Sequence, residues 1–335
     1  MTETAVVILN YNGRHFLQQF LPGVIANSGT AKIVVADNAS TDDSVNFLTE
    51  NFQGKIEIVQ LESNKGYCGG YNAALKQVEA TYYVLLNSDV EVTPGWIEPV
   101  IQILKQDANI AAAQPKIVSF HTRNEFEYAG AAGGFVDSFG YPFCRGRIFN
   151  TLEKDQNQYN DTCPIFWATG ACLFIKSEVF HRHGGFDEDF FAHMEEIDLC
   201  WRIQLTGQSI YYTGHSKVYH VGGGTLAKSN PRKTYFNFRN GLSLLLKNLP
   251  AMQLVWKIPV RVVLDWLAAL KFLLGGSGDD CLAVLKAHGS FFWHLKRDYF
   301  KRGSSSKKTI PTIYKGSVLF GYYLFGKKYF TDFRI

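Results

Sequence analysis

The chain has 335 residues, of which 46% are hydrophobic and 19% are charged. This length and composition predict one large α/β domain with an appended region, and they exclude a disordered or low-complexity chain. The net charge of +4 is too small for a dedicated nucleic-acid-binding protein, so no nucleic-acid partner is expected.

The cysteines and the N-terminus indicate the compartment. Six cysteines are scattered along the chain without a CxxC pair, which favours reduced, buried thiols over disulfides or a zinc site. The N-terminal residues enter a strand-like run directly and lack the features of a signal peptide. No apolar run reaches the roughly 18 to 20 residues that a membrane-spanning helix needs. We therefore expect a cytoplasmic protein.

Strand-like and helical segments alternate over residues 1–90. The β-branched runs lie at 5–10, 32–37, 56–61 and 81–89, and helices are predicted to begin near His15, Asp42 and Gly69. This alternation predicts βαβ units and a parallel sheet, in which ligands bind beyond the carboxyl ends of the strands. Polar groups suited to a ribonucleotide diphosphate and a metal follow those ends at Asn10–Asn12, Asp37–Ser40, Asn64–Gly66 and Asn87–Asp89.

Residues 91–225 show a more mixed pattern. Their segments are a helix over about 94–106, a glycine-rich stretch at 129–147, a strand-like run at 168–176 and a polar run at 186–207. The composition becomes basic and aromatic after Gly224, which predicts a boundary near 225–235. We expect a catalytic domain over 1–225 and a helical region over 226–335.

Asp37 stands at the end of a buried strand. The residues that follow it, Ser40 to Asp43, are typical of a helix N-cap and turn, which leaves Asp37 itself without a capping role. A carboxylate in this position can accept hydrogen bonds from a base or a ribose.

Asn87-Ser88-Asp89 follows a strand that is apolar on both faces and is therefore expected near the middle of the sheet. A carboxylate at the end of such a strand can bind Mg²⁺ or Mn²⁺, although an ordinary strand-ending turn has the same sequence. His220 follows a later strand-like run. A lone histidine there is more often structural, but with Asp89 it would form a mixed oxygen and nitrogen metal site.

Three carboxylates, Glu195, Glu196 and Asp198, stand at the start of a predicted helix. A structural explanation exists, because acidic residues favour a helix N-terminus and Asp198 is spaced to pair with Arg202. Crowding of like charges also raises pKa values, which suits a general base.

In this order, the segments resemble the inverting glycosyltransferases of family two, which have the GT-A nucleotide-sugar fold. The bacterial rhamnosyltransferase-like group of cell-surface polysaccharide assembly is the most similar variety. The matching strings are VVILNYNG (6–13), VADNASTDDS (35–44), ESNKGYCGGYN (62–72), LLNSDVEV (85–92), ATGACLFIK (168–176), GGFDEDFFAHMEEIDLCWRIQLTG (184–207) and KVYHVGGG (217–224).

The resemblance implies a nucleotide-binding half over 1–90 and an acceptor-binding half over 91–225. It implies that the backbone at Asn10 and Tyr11 and the side chain of Asp37 hold the nucleoside, and that Lys65 faces the diphosphate. The other donor-binding residues implied by position are Asn38, Asn64, Gly66, Asn87, Ser88, Thr169 and Gly170.

The resemblance also implies a Mn²⁺ or Mg²⁺ cofactor. The family's Asp-x-Asp metal motif corresponds to Asn87-Ser88-Asp89, with an amide in place of the first acid, and His220 matches a histidine that completes the metal site in some relatives. The family's catalytic Glu-Asp pair corresponds to Glu195-Glu196, which makes Glu196 the predicted base and Glu195 its alternative.

The implied reaction is one in-line displacement with inversion, from a UDP- or dTDP-sugar to a glycan or a polyprenyl-linked acceptor. Rhamnose on a thymidine donor is the first expectation. A sugar nucleotidyltransferase and a non-catalytic module that binds a nucleotide-sugar or a glycan remain alternatives. A dinucleotide-dependent oxidoreductase is disfavoured, because no GxGxxG follows the first strand.

The C-terminal third predicts a membrane surface as partner. On a helix over 254–276, the charges Lys257, Arg261, Asp265 and Lys271 fall within an arc of about 120°, and the rest of the surface is apolar. A basic run at 294–308 and an aromatic run at 314–330 follow. We expect residues 254–330 to lie on the inner face of the cell membrane. Packing on the catalytic domain or in a homo-oligomer is the alternative.

Overall fold

The computed structural model describes residues 2–222, 230–303 and 309–334. Its first part confirms the predicted alternation of strands and helices. The strands are β1 (Thr2–Asn10), β2 (Lys32–Asp37), β3 (Glu57–Gln60) and β4 (Ala80–Asn87), and the helices are α1 (Arg14–Asn27), α2 (Ser44–Phe52) and α3 (Gly66–Leu75).

These four strands form a parallel sheet in the order β4-β1-β2-β3. In this register Asn10 lies beside Asp37, and Leu9 lies beside Asn87. The sheet is covered on both faces, because Ala5 and Val7 of β1 enter one hydrophobic cluster while Val6 and Ile8 enter the other. Burial on both sides explains why these strands are continuously apolar. The polar strand ends therefore share one edge, as predicted.

The second part extends the sheet and adds a smaller one. Its elements are β5 (Val90–Val92), α4 (Glu98–Gln106), β6 (Ile110–Ser119), β7 (Gly134–Asp137), β8 (Pro142–Cys144), β9 (Arg147–Ile148), β10 (Thr151–Leu152), β11 (Thr162–Ile165), β12 (Cys172–Lys176), α5 (Ser177–Arg182), a 3-10 helix (Glu188–Phe190), α6 (Glu195–Leu205) and β13 (Ser209–His220). The central sheet has the order β11-β13-β6-β12-β4-β1-β2-β3, with β5 beside β13.

The predicted α/β fold is confirmed, with a mixed rather than uniformly parallel sheet. The strands from β4 to β3 are parallel, whereas β12 runs antiparallel between β4 and β6. This insertion brings the residues that precede β12, including Gly170 and Ala171, next to the end of β4, where the backbone N–H of Asn87 donates to the carbonyl of Ala171 at 3.0 Å.

The predicted helical C-terminal region is also confirmed. It contains α7 (Pro231–Asn248), α8 (Ala251–Leu274), α9 (Gly278–Trp293), α10 (Leu295–Phe300), β14 (Ile313–Tyr314), α11 (Val318–Leu324) and a second 3-10 helix (Phe330–Asp332). β14 pairs with β7 at the end of the smaller sheet, so this region also packs into the preceding domain. The predicted boundary at 225/226 and part of the basic run at 294–308 lie outside the described residues.

The polar arc of α8 is present, but it faces the protein interior. Lys257, Arg261 and Asp265 are buried, while Lys271 is exposed. Arg261 Nε donates to Asp265 at 2.8 Å, and its guanidinium lies 3.7 Å from the centre of the Tyr141 ring. The apolar side of α8 therefore faces away from the protein, and the charged side is covered by the domain rather than by water. The interior of the domain supplies partners for Arg261 and Asp265.

We predict that Asp265→Ala destabilises the fold by about 3–5 kcal/mol, because it leaves the buried Arg261 charge without its partner. The shift of the urea-unfolding transition measures this loss. Glu50→Ala removes an exposed carboxylate from α2 and should change stability by less than about 0.5 kcal/mol. Equal shifts for the two variants would contradict a structural role for the buried pair.

Candidate active site

Asn10 and Asp37, which we expect to hold the nucleoside, lie side by side at the ends of β1 and β2. Asn10 Nδ2 donates to Asp37 Oδ1 at 3.1 Å, and Asp37 Oδ2 accepts from the backbone N–H of Ser40 at 2.9 Å. The turn after β2 therefore does use Asp37, which we had expected to be without a capping role. Tyr11 is 45% exposed beside this pair, and the buried Oδ1 of Asn10 has no protein partner. These groups remain available to a bound nucleoside.

The turn before α3 is organised by Asn38. Its Nδ2 donates to Asn64 Oδ1 at 3.1 Å and to the Gly66 carbonyl at 3.0 Å, and its Oδ1 accepts from the Lys65 backbone at 3.0 Å. Gly66 has a φ of +67°, and a Cβ there would lie 2.7 Å from the Phe191 ring. The exposed Lys65 side chain stands at the N-terminus of α3, where the helix dipole also favours an anion.

Asp89 and His220 meet although 130 residues separate them in the chain. Asp89 Oδ1 lies 3.2 Å from His220 Nε2, and Asn87 Nδ2 lies 3.4 Å from the same nitrogen. Glu127 lies 3.5 Å from His220 Nδ1. Burial opposes protonation of His220, but the two carboxylates outweigh it and raise its pKa to about 10. The predicted pair is thus assembled, together with a carboxylate that the sequence analysis did not select.

The donor set at Asp89 and His220 fits a divalent cation. A carboxylate oxygen and an imidazole nitrogen 3.2 Å apart can share one ion once the histidine has lost its proton. Glu127 is placed to hold the other ring nitrogen, as carboxylates commonly do beside metal-binding histidines. Within residues 2–222, 230–303 and 309–334, no group of three His, Cys, Asp or Glu residues is arranged as a metal site. Phosphate oxygens and water would have to complete the coordination.

Glu195 and Glu196 begin α6, and their pKa values are both raised. Burial and the neighbouring Glu196 raise the pKa of Glu195 well above its usual range. Burial raises the pKa of Glu196 to about 7, against the effect of backbone hydrogen bonds that include one from Gly170. Glu195 is 5% exposed, whereas Glu196 is only partly buried. Near neutral pH, Glu196 is therefore the better placed of the two to exchange a proton.

Several of the predicted residues are linked by a series of contacts. Glu196 contacts the Gly170 backbone, and the next residue, Ala171, accepts the Asn87 backbone hydrogen bond. Asn87 in turn contacts His220. A Cβ added at Gly13 would lie 2.5 Å from Asn10 Oδ1 and 3.6 Å from Ser88 Oγ, so these two side chains flank the same glycine. Thr169 holds the segment from the other side, its backbone N–H donating to Gln114 Oε1 at 2.9 Å.

Asp198 belongs to a different network. It is fully buried and accepts from Arg202 Nε at 2.8 Å, Lys247 Nζ at 2.9 Å and Asn248 Nδ2 at 2.9 Å. Burial opposes its ionisation, but Arg202 and Lys247 keep its pKa below the usual range. The predicted pairing with Arg202 is confirmed. The structure therefore gives Asp198 a structural role, because its oxygens are already occupied by protein donors.

Asn240 on α7 is a site-supporting residue that the sequence analysis missed. It is fully buried, and its Nδ2 lies 3.1, 2.9 and 2.7 Å from the carbonyl oxygens of Phe190, Ala192 and His193. The backbone there is unusual, since His193 and Met194 have φ values of 68° and 72°. These residues immediately precede Glu195. No local sequence pattern marks Asn240, because its partners lie about fifty residues earlier.

The fold and the site together define a glycosyltransferase with the GT-A fold. The chain belongs to glycosyl transferase family 2, whose family model matches residues 5–184. It is 24% identical over 231 residues to N-acetylglucosaminyl-diphospho-decaprenol L-rhamnosyltransferase of Mycobacterium tuberculosis, covering 64% of this chain and 75% of that protein. It is 25% identical over 209 residues to the low-salt glycan biosynthesis hexosyltransferase Agl10 of Haloferax volcanii, covering 61% and 62%.

Two solved structures share the fold. GalNAc-T7 with UDP, GalNAc and Mn²⁺ superposes with a TM-score of 0.58 at 15% identity, covering 74% of this chain and 48% of that one. The Pyrobaculum calidifontis mannosyltransferase PcManGT with GDP-Man and Mn²⁺ superposes with a TM-score of 0.54 at 13% identity, covering 87% of each chain. At these identities the likeness establishes the fold alone.

We predict that Asn240→Ala lowers kcat about 10- to 100-fold, because a small displacement of the loop before Glu195 misplaces the proposed base. The KM for the donor should change by less than about threefold, since Asn240 contacts only this loop among the site elements. Asn237→Ala is the matched control on the same helix. An equal fall of kcat in the two variants would count against a positioning role. So would a rise of KM in Asn240→Ala with kcat unchanged.

Proposed function

We propose that the protein is a metal-dependent, inverting glycosyltransferase with Glu196 as its general base. The observation that carries this proposal is that Glu196, whose pKa is raised to about 7, contacts the Gly170 backbone. The next residue, Ala171, bonds to Asn87, which contacts His220 of the Asp89–His220 pair. A base must be near its pKa at working pH and close to the bond that forms. The raised pKa of Glu196 supports the first condition, and its contact with the segment that bonds to Asn87 supports the second.

In the proposed reaction, the acceptor hydroxyl gives its proton to Glu196 as its oxygen attacks the anomeric carbon. The bond between that carbon and the diphosphate oxygen breaks at the same time, and the configuration inverts. Lys65, at the N-terminus of α3, is placed to stabilise the negative charge of the departing diphosphate. A divalent cation held by Asp89 and His220 would supply Lewis-acid stabilisation of the same charge.

The proposed donor is a nucleoside-diphosphate sugar, with dTDP-rhamnose as the first candidate and UDP-sugars next. The proposed acceptor is a polyprenyl-linked sugar or a glycan of the cell surface. Support comes from the relatives, one of which is a rhamnosyltransferase of N-acetylglucosaminyl-diphospho-decaprenol, and from the nucleotides in the solved structures. We therefore propose that the protein acts at the cytoplasmic face of the cell membrane. In the described part of the chain, no helix has the length and apolar character needed to span a bilayer.

We predict that Glu196→Gln lowers kcat by about 10² to 10⁴-fold while donor affinity stays within about twofold, because the amide keeps the shape but cannot accept the proton. Rates measured with Mn²⁺ and a panel of nucleotide sugars, and donor binding by calorimetry, test this directly. Glu195→Gln distinguishes the two glutamates, and the exposed Glu178→Gln is the control. Turnover at the wild-type rate by Glu196→Gln would remove this residue from the base role.

The pH profile gives a second readout of the same prediction. Because the base must be unprotonated, kcat should fall below about pH 7, about tenfold for each further pH unit, as Glu196 gains its proton. The residual activity of Glu196→Gln should lose this acid limb. If the fall of kcat at low pH persists in Glu196→Gln but is lost in Glu195→Gln, Glu195 is the general base.

We predict that Asp89→Asn weakens Mn²⁺ binding at least about tenfold, since even groups that only orient metal ligands commonly contribute this much. Titration followed by electron paramagnetic resonance of free Mn²⁺ measures the affinity without any turnover. The exposed Glu79→Gln should bind Mn²⁺ as the wild type does. Unchanged affinity in Asp89→Asn would exclude Asp89 as a ligand.

A further inference from the structure

The outer surface of the C-terminal helices is strongly apolar. Along α8, large apolar side chains recur every three or four residues from Met252 to Leu274, and these two are 83% and 80% exposed. The others on this stripe are Val255, Trp256, Val260, Val263, Trp266, Leu267, Leu270 and Leu273. The 24 residues of α8 make a stripe about 36 Å long. A monomer in water seldom exposes a continuous apolar surface of that length.

The interior contacts of α8 fix which side is outward. Arg261 and Asp265 pair with each other, and Asp265 also accepts from Tyr141 Oη at 2.9 Å and contacts His288 of α9 at 3.3 Å. Arg261 further donates to the Phe139 carbonyl at 2.8 Å. Rotating α8 to bury its apolar stripe would break the contacts of Arg261 and Asp265 with Tyr141, His288 and the Phe139 carbonyl. Within residues 2–222, 230–303 and 309–334, the apolar side of α8 therefore stays exposed and is available to a partner.

Neighbouring helices extend the apolar surface on both sides of α8. Trp266 Nε1 donates to His288 Nδ1 of α9 at 3.0 Å while its ring stays 54% exposed. Lys271 donates to Tyr323 Oη of α11 at 3.1 Å. The exposed apolar residues of these flanks are Leu282, Leu285, Phe292 and Trp293 on α9, and Phe320, Tyr323 and Leu324 on α11. We call the exposed apolar residues of α8, α9 and α11 the docking face.

The charges around the docking face indicate which kind of partner binds it. Residues 251–335 contain 14 of the 34 Lys and Arg residues but only 5 of the 30 acidic residues, none of them Glu. Lys271, Lys286, Lys296 and Lys328 are exposed on or next to the helices of this face. Two copies meeting through the same face would bring these like charges together. An anionic bilayer would attract them, and exposed Trp and Tyr rings favour the interface between lipid and water.

We propose that the docking face inserts into the interfacial layer of an anionic bilayer and holds the protein there without a spanning helix. This inference deepens the proposed function. It rests on the proposed function in one respect only, because a lipid-linked acceptor would be reached at the bilayer. The partner is the bilayer itself, recognised by apolar insertion of α8, α9 and α11 and by the lysines around them.

Flotation of the full-length chain with vesicles tests the proposal. We expect binding to vesicles of equal parts phosphatidylglycerol and phosphatidylcholine, weaker binding to phosphatidylcholine alone, and partial release in high salt. Leu267→Glu/Leu274→Glu, at two exposed positions, should reduce binding at least about tenfold. The control Gln18→Glu/Gln53→Glu adds the same charge to exposed positions of the nucleotide-binding half and should still bind.

The outcomes separate the proposal from its alternatives. Wild-type protein that stays unbound from both vesicle types, or a Leu267→Glu/Leu274→Glu variant that binds as well as the wild type, overturns it. Dimerisation in solution that the same variant abolishes, with no vesicle binding, assigns the face to a second copy instead. Donor hydrolysis without lipid should persist in the variant. Vesicle binding by a protein that transfers no sugar from any donor supports the docking face and overturns the proposed function.

Discussion

The proposed active site depends on the backbone between Phe190 and Met194. Phe191, His193 and Met194 all have positive φ values, a conformation that costs non-glycine residues roughly 1–2 kcal/mol each. Hydrogen bonds from both sides offset this cost. The Phe191 carbonyl accepts from the backbone of Tyr67 and Cys68 at the start of α3, while Asn240 holds the neighbouring carbonyls from α7. The loop thereby fixes Glu196 relative to the turn that carries Lys65.

Much of the nucleotide-binding half could be predicted from the sequence, because its information is local. Strands that are apolar on both faces, alternate with helices and end in polar residues are typical of a parallel sheet with one polar edge. The meeting of Asp89 with His220 was different. The residues alone offered both a structural role for His220 and a metal site shared with Asp89, and the resemblance to family two favoured the metal site. Glu127 and Asn240 escaped prediction because each acts through a partner far along the chain.

The orientation of α8 shows what periodicity leaves undetermined. The spacing of Lys257, Arg261 and Asp265 correctly predicted one charged and one apolar side, but a helical period is the same whichever side faces inward. The direction was decided by Tyr141 and the Phe139 carbonyl, which lie in the glycine-rich stretch more than a hundred residues earlier. Charges that find such partners are stabilised in the interior, and the apolar side is left at the surface.

The same C-terminal helices connect this surface to the chemistry. α7 carries Asn240, which holds the loop before Glu196, and Lys247, which lies 2.9 Å from Asp198 on α6 and 2.7 Å from Asp187. α7 also packs against α8 and α9, so the helix that supports the proposed base is continuous with those that form the docking face. Buried ion pairs of this kind contribute little net stability but strongly oppose rearrangement. They therefore fix the orientation of the proposed active site relative to the docking face. That orientation decides how the site faces a bilayer into which the docking face inserts.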